Sequence, residues 1–177
     1  MRPYSKVASL PAPVVRVPST QVETEQIAVG RGLFTSIGCA SCHRPDMDKV
    51  VGLYSDLLLH DMGPTLADAG SYSSHSDWSG SGVSASRRNE PDARPQSGRA
   101  SRQEWRTPPL WGIRDSGPYL HDGRATTFEQ AIAIHGGEGQ ASADAFASLE
   151  TQEKAVLMTF LKSLVAPNVS MARRDLP

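Results

Sequence analysis

Cys39-Ala40-Ser41-Cys42-His43 sets two thiols three positions apart, with an imidazole directly after the second. This is the C-x-x-C-H pattern that attaches a c-type haem. Each thiol can add to one vinyl group of the porphyrin, and the histidine then lies under the iron. The chain has 2 cysteines in all, which narrows the other uses of the motif. A structural zinc site takes four ligands, and His60, His75, His121 and His135 supply no H-x3-5-H pair to complete one. A thioredoxin-like redox pair calls for a strand before the motif and a long helix after it. Here a helical segment leads in, and Arg44-Pro45-Asp46 breaks the helix at the motif.

Upstream, helical pattern begins after Ser19-Thr20, with Glu23 and Glu25 at the positive end of the helix. Ile27, Gly30 and Phe34 share one side of it and lead into Ile37-Gly38-Cys39. The pair Gly30 and Phe34 permits close approach of a second helix and fills space beside the haem. Residues 1–18 carry Pro3, Pro11, Pro13 and Pro18 and read as a tail or interdomain linker.

At 177 residues and 38% hydrophobic content, the chain fits one domain with a modest core that a haem would enlarge. A net charge of -1 advertises neither a nucleic-acid surface nor a basic membrane-surface segment. No apolar run approaches membrane-spanning length. Residues 1–18 lack the apolar core of a secretory signal, whereas covalent haem is attached outside the bacterial cytoplasm. The expectation is a periplasmic or otherwise extracytoplasmic protein whose leader is not in this chain.

Downstream, residues 50–59 are apolar and resolve neither as loop nor as helix. They run into His60-Asp61-Met62-Gly63-Pro64-Thr65-Leu66. This stretch resembles the cytochrome c family, in which a G-P-x-L loop follows the attachment motif on the proximal side. The resemblance implies that the Pro64 carbonyl accepts the His43 Nδ1 proton and that Leu66 packs on the porphyrin. Residues 70–104 are dominated by Ser, Gly and Arg and read as an exposed, mobile insertion.

The pattern changes at Trp105-Arg106-Thr107-Pro108-Pro109-Leu110-Trp111-Gly112 and continues through Gly117-Pro118-Tyr119-Leu120-His121-Asp122-Gly123-Arg124. Arg106 offers a forked donor to a haem propionate, with Trp111 as an indole donor at the same edge. Thr126-x-x-Glu129 forms a capping box, and Phe128, Ala131, Ile132 and His135 share one face of the helix it starts. Gly136-Gly137 ends that helix, with His135 in its last turn. Two more helices follow at residues 141–149 and 151–164, the second with a Leu157, Phe160, Leu161, Leu164 stripe.

These motifs, from about Gly30 to Leu164, resemble the C-terminal haem domain of bacterial di-haem cytochrome c peroxidases. They are closest to the di-haem oxidoreductases sometimes labelled thiol oxidoreductases, which also carry a D-L-L-L-H-D-M-G-P stretch like residues 56–64. The resemblance implies that the residue ending the helix after H-D-G is the sixth ligand of the electron-transferring haem. His135 stands where the peroxidases usually have methionine, and bis-histidine haems generally lie at lower potential. The family needs two C-x-x-C-H motifs and this chain has one, so a second haem domain or a redox partner protein is expected.

The sequence therefore predicts an all-α cytochrome c domain over residues 19–165, containing the 70–104 insertion and followed by a 166–177 tail. Cys39, Cys42, His43, Pro64, Leu66, Arg106, Trp111 and His135 hold one covalent haem c, with His43 and His135 on the iron. Of the other candidate ligands, His60 and Met62 precede Gly63-Pro64 and are expected on the proximal side. His75 falls in the polar insertion, His121 at a turn, and Met158 off the apolar stripe of the last helix. The expected role is electron entry within a di-haem peroxidase-like oxidoreductase. The other readings are a free-standing mono-haem carrier and a haem with an open distal side that meets peroxide itself. Calcium between domains, electron donor and substrate are not legible in these residues.

Overall fold

The structure, a computed structural model, describes residues 20–67 and 100–166. Its frame is a pair of crossed helices, α1 (Gln21–Ser36) and α4 (Thr151–Ser163). Thr20 caps α1 by accepting the Glu23 N–H at 3.1 Å, as the Ser19-Thr20 start leads one to expect. At α4 a carboxylate serves instead: Glu150 and Glu153 form a reciprocal capping box.

The crossing depends on Gly30. A Cβ there would run into the Val156 carbonyl oxygen and lie 2.6 Å from the Phe160 Cβ, so only hydrogen lets the two backbones approach this closely. Around the crossing, Phe34, Tyr54, Leu110, Phe128, Phe146, Leu157, Met158, Phe160 and Leu161 are buried together. Phe34 sits at its centre, 5.4 Å from Phe160 and 5.8 Å from Tyr54 between ring centroids. Leu157, Phe160 and Leu161 occupy the core as their spacing predicts. Met158, expected off the stripe, is buried as well at 5% exposure, in one cluster with Phe128 and Phe146.

Two features correct the all-α expectation. Strand β1 (Leu59–Asp61) pairs antiparallel with β2 (Glu104–Arg106), in the register Leu59–Arg106, His60–Trp105 and Asp61–Glu104. Three-residue strands are too short to print a period-2 pattern, which is why residues 50–59 gave no clear reading. The second concerns the expected insertion, whose end at 100–104 is structured: the Met62 N–H donates to the Gln103 carbonyl at 2.8 Å, and Glu104 opens β2. The rest of that segment, His75 within it, and both terminal tails lie outside the described residues apart from Ala166.

Helix α2 (Phe128–Ala133) is shorter than its apolar pattern implied, and its cap is Thr127, not Thr126, with the Thr127 hydroxyl accepting the Gln130 N–H at 3.2 Å. His135 consequently lies beyond the helix end, where its N–H donates to the Ile132 carbonyl at 3.1 Å. A tight 3-10 turn, Gly137–Gly139, leads on into α3 (Gln140–Ser148). Among the described residues no helix is long and apolar enough to cross a membrane.

Candidate haem site

The attachment motif forms a single 3-10 turn, Cys39–Ser41, entered through Gly38 at φ 90°. Cys39 and Cys42 are both free thiols. Burial pushes the Cys39 thiol up to about 11, and burial also raises Cys42. A redox nucleophile needs a lowered thiol pKa, so this environment argues against the thioredoxin-like reading.

His43 is placed by the chain that follows it. Ser55 N–H donates to the Arg44 carbonyl at 2.8 Å and Tyr54 N–H to the Pro45 carbonyl at 3.2 Å, folding residues 44–55 back on themselves. Tyr54 lies in the left-handed region at φ 52°, a conformation that costs a bulky residue energy and recurs at functional sites. Its carbonyl meets His43 Nδ1 at 3.1 Å. This corrects the expected role of Pro64. The Pro64 carbonyl instead accepts the Ala67 N–H within the 3-10 turn Pro64–Leu66, and a carbonyl bound into its own turn is not turned toward His43. Tyr54 carried no signal in sequence, since it sits in the apolar stretch that showed no periodicity. Leu66 in the same turn is fully buried.

His135 is held in the same manner: its Nδ1 lies 2.7 Å from the Ala131 carbonyl. With both Nδ1 atoms on backbone carbonyls, the Nε2 atoms of His43 and His135 have no hydrogen-bond partner among the described residues. Burial holds His43 down to about 4, with His135 contributing to the depression, and burial lowers His135 too. Two neutral imidazoles, each presenting a free Nε2, match what an iron takes from histidine.

The other expected ligands fall out differently. His60 cannot bind a metal through a free nitrogen, because Nε2 lies 2.9 Å from Asp56 Oδ2 and Nδ1 2.7 Å from Glu138 Oε2. Met62 is not confined to the side of His43. A Cβ on Gly139 would lie 3.3 Å from Met62 Cε and 3.1 Å from His135 Cβ, so Met62 neighbours the loop that carries His135. The argument that kept it on the proximal side fails with the one about Pro64, and Met62 becomes the competitor for the sixth position.

Neither expected propionate donor is free at the site. Arg106 is exposed and donates to the Leu57 carbonyl. Trp111 lines a cavity of about 610 Å³ between α1, the end of α4 and residues 45–54, and none of the cysteines or histidines above borders it. Among the described residues, the buried side-chain donor that lacks a partner is that of Trp105. Its Nε1 is buried with no hydrogen bond, a costly arrangement unless an acceptor arrives. Cross-strand pairing puts Trp105 on the same sheet face as His60, whose Nδ1 lies 3.6 Å from Cys42 Sγ. The Trp105 ring meets His121 edge-on at 3.9 Å, and the Arg124 guanidinium lies 5.7 Å above it. Trp105 offered a signal in sequence, an indole beside Arg106, but Trp111 offered the same one. Only the strand pairing separates them.

A pair of free thiols, two neutral imidazoles and an orphaned buried donor are side-chain chemistry that suits a haem. The family described as "Di-haem oxidoreductase, putative peroxidase" matches residues 79–164 of the chain. The match includes Trp105 and His135 but not the C-x-x-C-H motif. Among solved structures, the hydrazine synthase of Kuenenia stuttgartiensis, determined under 20 bar of xenon, is similar with a TM-score of 0.52 and 24% identity, over 86% of this chain and 51% of that one. A MauG-like protein associated with microbial copper homeostasis aligns with a TM-score of 0.46 and 28% identity, over 80% of this chain and 47% of that one. The chain thus spans about half the length of each. No curated protein matches it.

Proposed function

We propose that this chain carries one covalent haem c on Cys39 and Cys42, with His43 as proximal and His135 as distal ligand. It serves as the electron-entry half of a di-haem peroxidase-like oxidoreductase outside the cytoplasm. The observation that carries this reading is the matched pair of imidazoles, each with Nδ1 on a backbone carbonyl and Nε2 free.

When bound, the haem supplies a one-electron couple. The residues of the chain do the rest. The Tyr54 and Ala131 carbonyls fix the tautomers and ring orientations of His43 and His135, keeping Nε2 unprotonated and directed. Phe34, 6.3 Å from the His43 ring, and the buried Leu66 keep water from the proximal ligand and its surroundings. Trp105 would hold a propionate through its orphaned N–H. Held by both His43 and His135, the iron would have no position left for peroxide, so peroxide chemistry would fall to a second haem domain, the partner this reading requires.

The test is a spectrum of the exported, matured protein. The resting haem is expected to be six-coordinate and low-spin, and His135→Ala to open it to cyanide while Met62→Ala leaves it closed. Loss of the low-spin state in Met62→Ala, with His135→Ala unchanged, would reassign the distal ligand. A colourless, zinc-containing protein would end the haem reading.

A further inference from the structure

Two runs far apart in sequence, His60-Asp61-Met62-Gly63 and His135-Gly136-Gly137-Glu138, lock into each other. Glycine makes the contact possible. A Cβ on Gly137 would strike the Asp61 carbonyl oxygen and lie 2.7 Å from the Gly63 nitrogen, and one on Gly136 would lie 2.7 Å from the Met62 oxygen. Glu138 then grips β1 with both oxygens: Oε1 accepts the Asp61 N–H at 3.1 Å, and Oε2 lies 2.7 Å from His60 Nδ1. On the far side of the ring, Asp56 Oδ2 lies 2.9 Å from Nε2. A carboxylate only accepts, so a ring bonded to two of them carries a proton on both nitrogens. The same Nδ1 lies 3.6 Å from Cys42 Sγ, which ties the assembly to the attachment motif.

His135 needs such a tie. It stands beyond the end of a six-residue helix and is followed by two glycines, so its own segment does little to hold it in place. The donor atoms of Cys42, Asp56 and His60 also lie close enough together to share a metal ion. However, both ring nitrogens are already taken by carboxylates, and Cys42 is committed to attachment.

We propose that His60 and Glu138 are positioning residues, an ion-paired latch that holds the 135–139 loop, and His135 with it, against the segment anchored at Cys42. This rests on His135 being the distal ligand. The latch joins the attachment side of the site to the distal loop, so releasing it frees the ligand without touching iron.

The test uses the matured, haem-loaded protein. Glu138 is exposed, so Glu138→Ala is expected to keep its fold and covalent haem. A loosened His135 yields to an added ligand more often, and the apparent cyanide affinity is expected to rise about tenfold, with a high-spin fraction in the resting spectrum. Glu138→Gln, which keeps an acceptor for the Asp61 N–H, should recover part of the loss. Glu129→Ala, at an exposed carboxylate away from β1, should match the wild type. Wild-type cyanide affinity and spectrum in Glu138→Ala, beside a responsive His135→Ala, would overturn the latch alone. A wild-type spectrum in His135→Ala would overturn the ligand reading, and the latch with it.

Discussion

At the scale of single residues, the buried indole donor of Trp105, which has no hydrogen-bond partner among the described residues, yields a prediction. In the haem-loaded protein Trp105→Phe is expected to shift the midpoint potential and cost about 1 kcal/mol, the ordinary worth of one hydrogen bond. Trp111→Phe should leave the potential alone, since Trp111 borders a different cavity. An unchanged potential in Trp105→Phe would remove the propionate from that indole. His60 yields a second. Burial works against its charge, but the hydrogen bonds to Glu138 and Asp56 outweigh burial and raise its pKa above the ordinary value. A raised pKa contributes stability that is fully present below the unfolded value near 6.5 and is lost as pH rises through the folded one. Asp56 has the opposite sign. Burial opposes its charge too, but hydrogen bonds from Leu58 and His60 lower its pKa, so its contribution is lost as pH falls. The thermal midpoint of the wild type should therefore decline on the alkaline side of the His60 titration, and His60→Gln should flatten that decline. An identical alkaline profile in the variant would show that His60 does not carry it.

At the scale of elements, the α1–α4 crossing is where a small change costs most. Gly30→Ala forces a methyl into the Val156 backbone and the Phe160 side chain, and overpacking of this kind costs roughly 1–3 kcal/mol. Gly32, two residues on in the same helix, has nothing within 4 Å of its would-be Cβ. There the helix preference of alanine acts alone, and Gly32→Ala should stabilise by about 0.5–1 kcal/mol. Chemical denaturation of the two variants gives opposite signs if the crossing is as described. Truncating Phe160, 2% exposed and in ring contact with both Phe34 and Tyr54, should cost about 3–5 kcal/mol.

At the scale of the whole molecule, the two halves of the site belong to different parts of the chain, and each is incomplete without the other. Residues 39–66 supply the attachment cysteines, His43 and its carbonyl partner, whereas residues 104–138 supply Trp105, His135 and Glu138. Replacing both Cys39 and Cys42 by Ala should abolish the haem-stained band on a denaturing gel. It should also lower the thermal midpoint, because a large apolar body is lost from between those halves. A variant that still stains would mean that the attachment lies elsewhere.

What the sequence determined on its own are the features written in local spacing. The motif Cys39 to His43, the Thr20 cap, the Gly30 notch and the Leu157, Phe160, Leu161 face are each fixed by neighbours within a turn or two, so composition and period reveal them. His135 was singled out the same way, though its helix stops short of it. Tertiary structure decided everything that depends on which backbone groups meet. Tyr54, not Pro64, orients His43, because a left-handed residue within residues 44–55 brings its carbonyl there. Trp105, not Trp111, shares a sheet face with His60 because β1 and β2 pair in one register and not another. Glu138 reaches His60 because three glycines let two loops touch. Such contacts join residues far apart in the chain and leave no periodic trace, since what fixes them is the geometry of the folded backbone and not the preference of any one side chain.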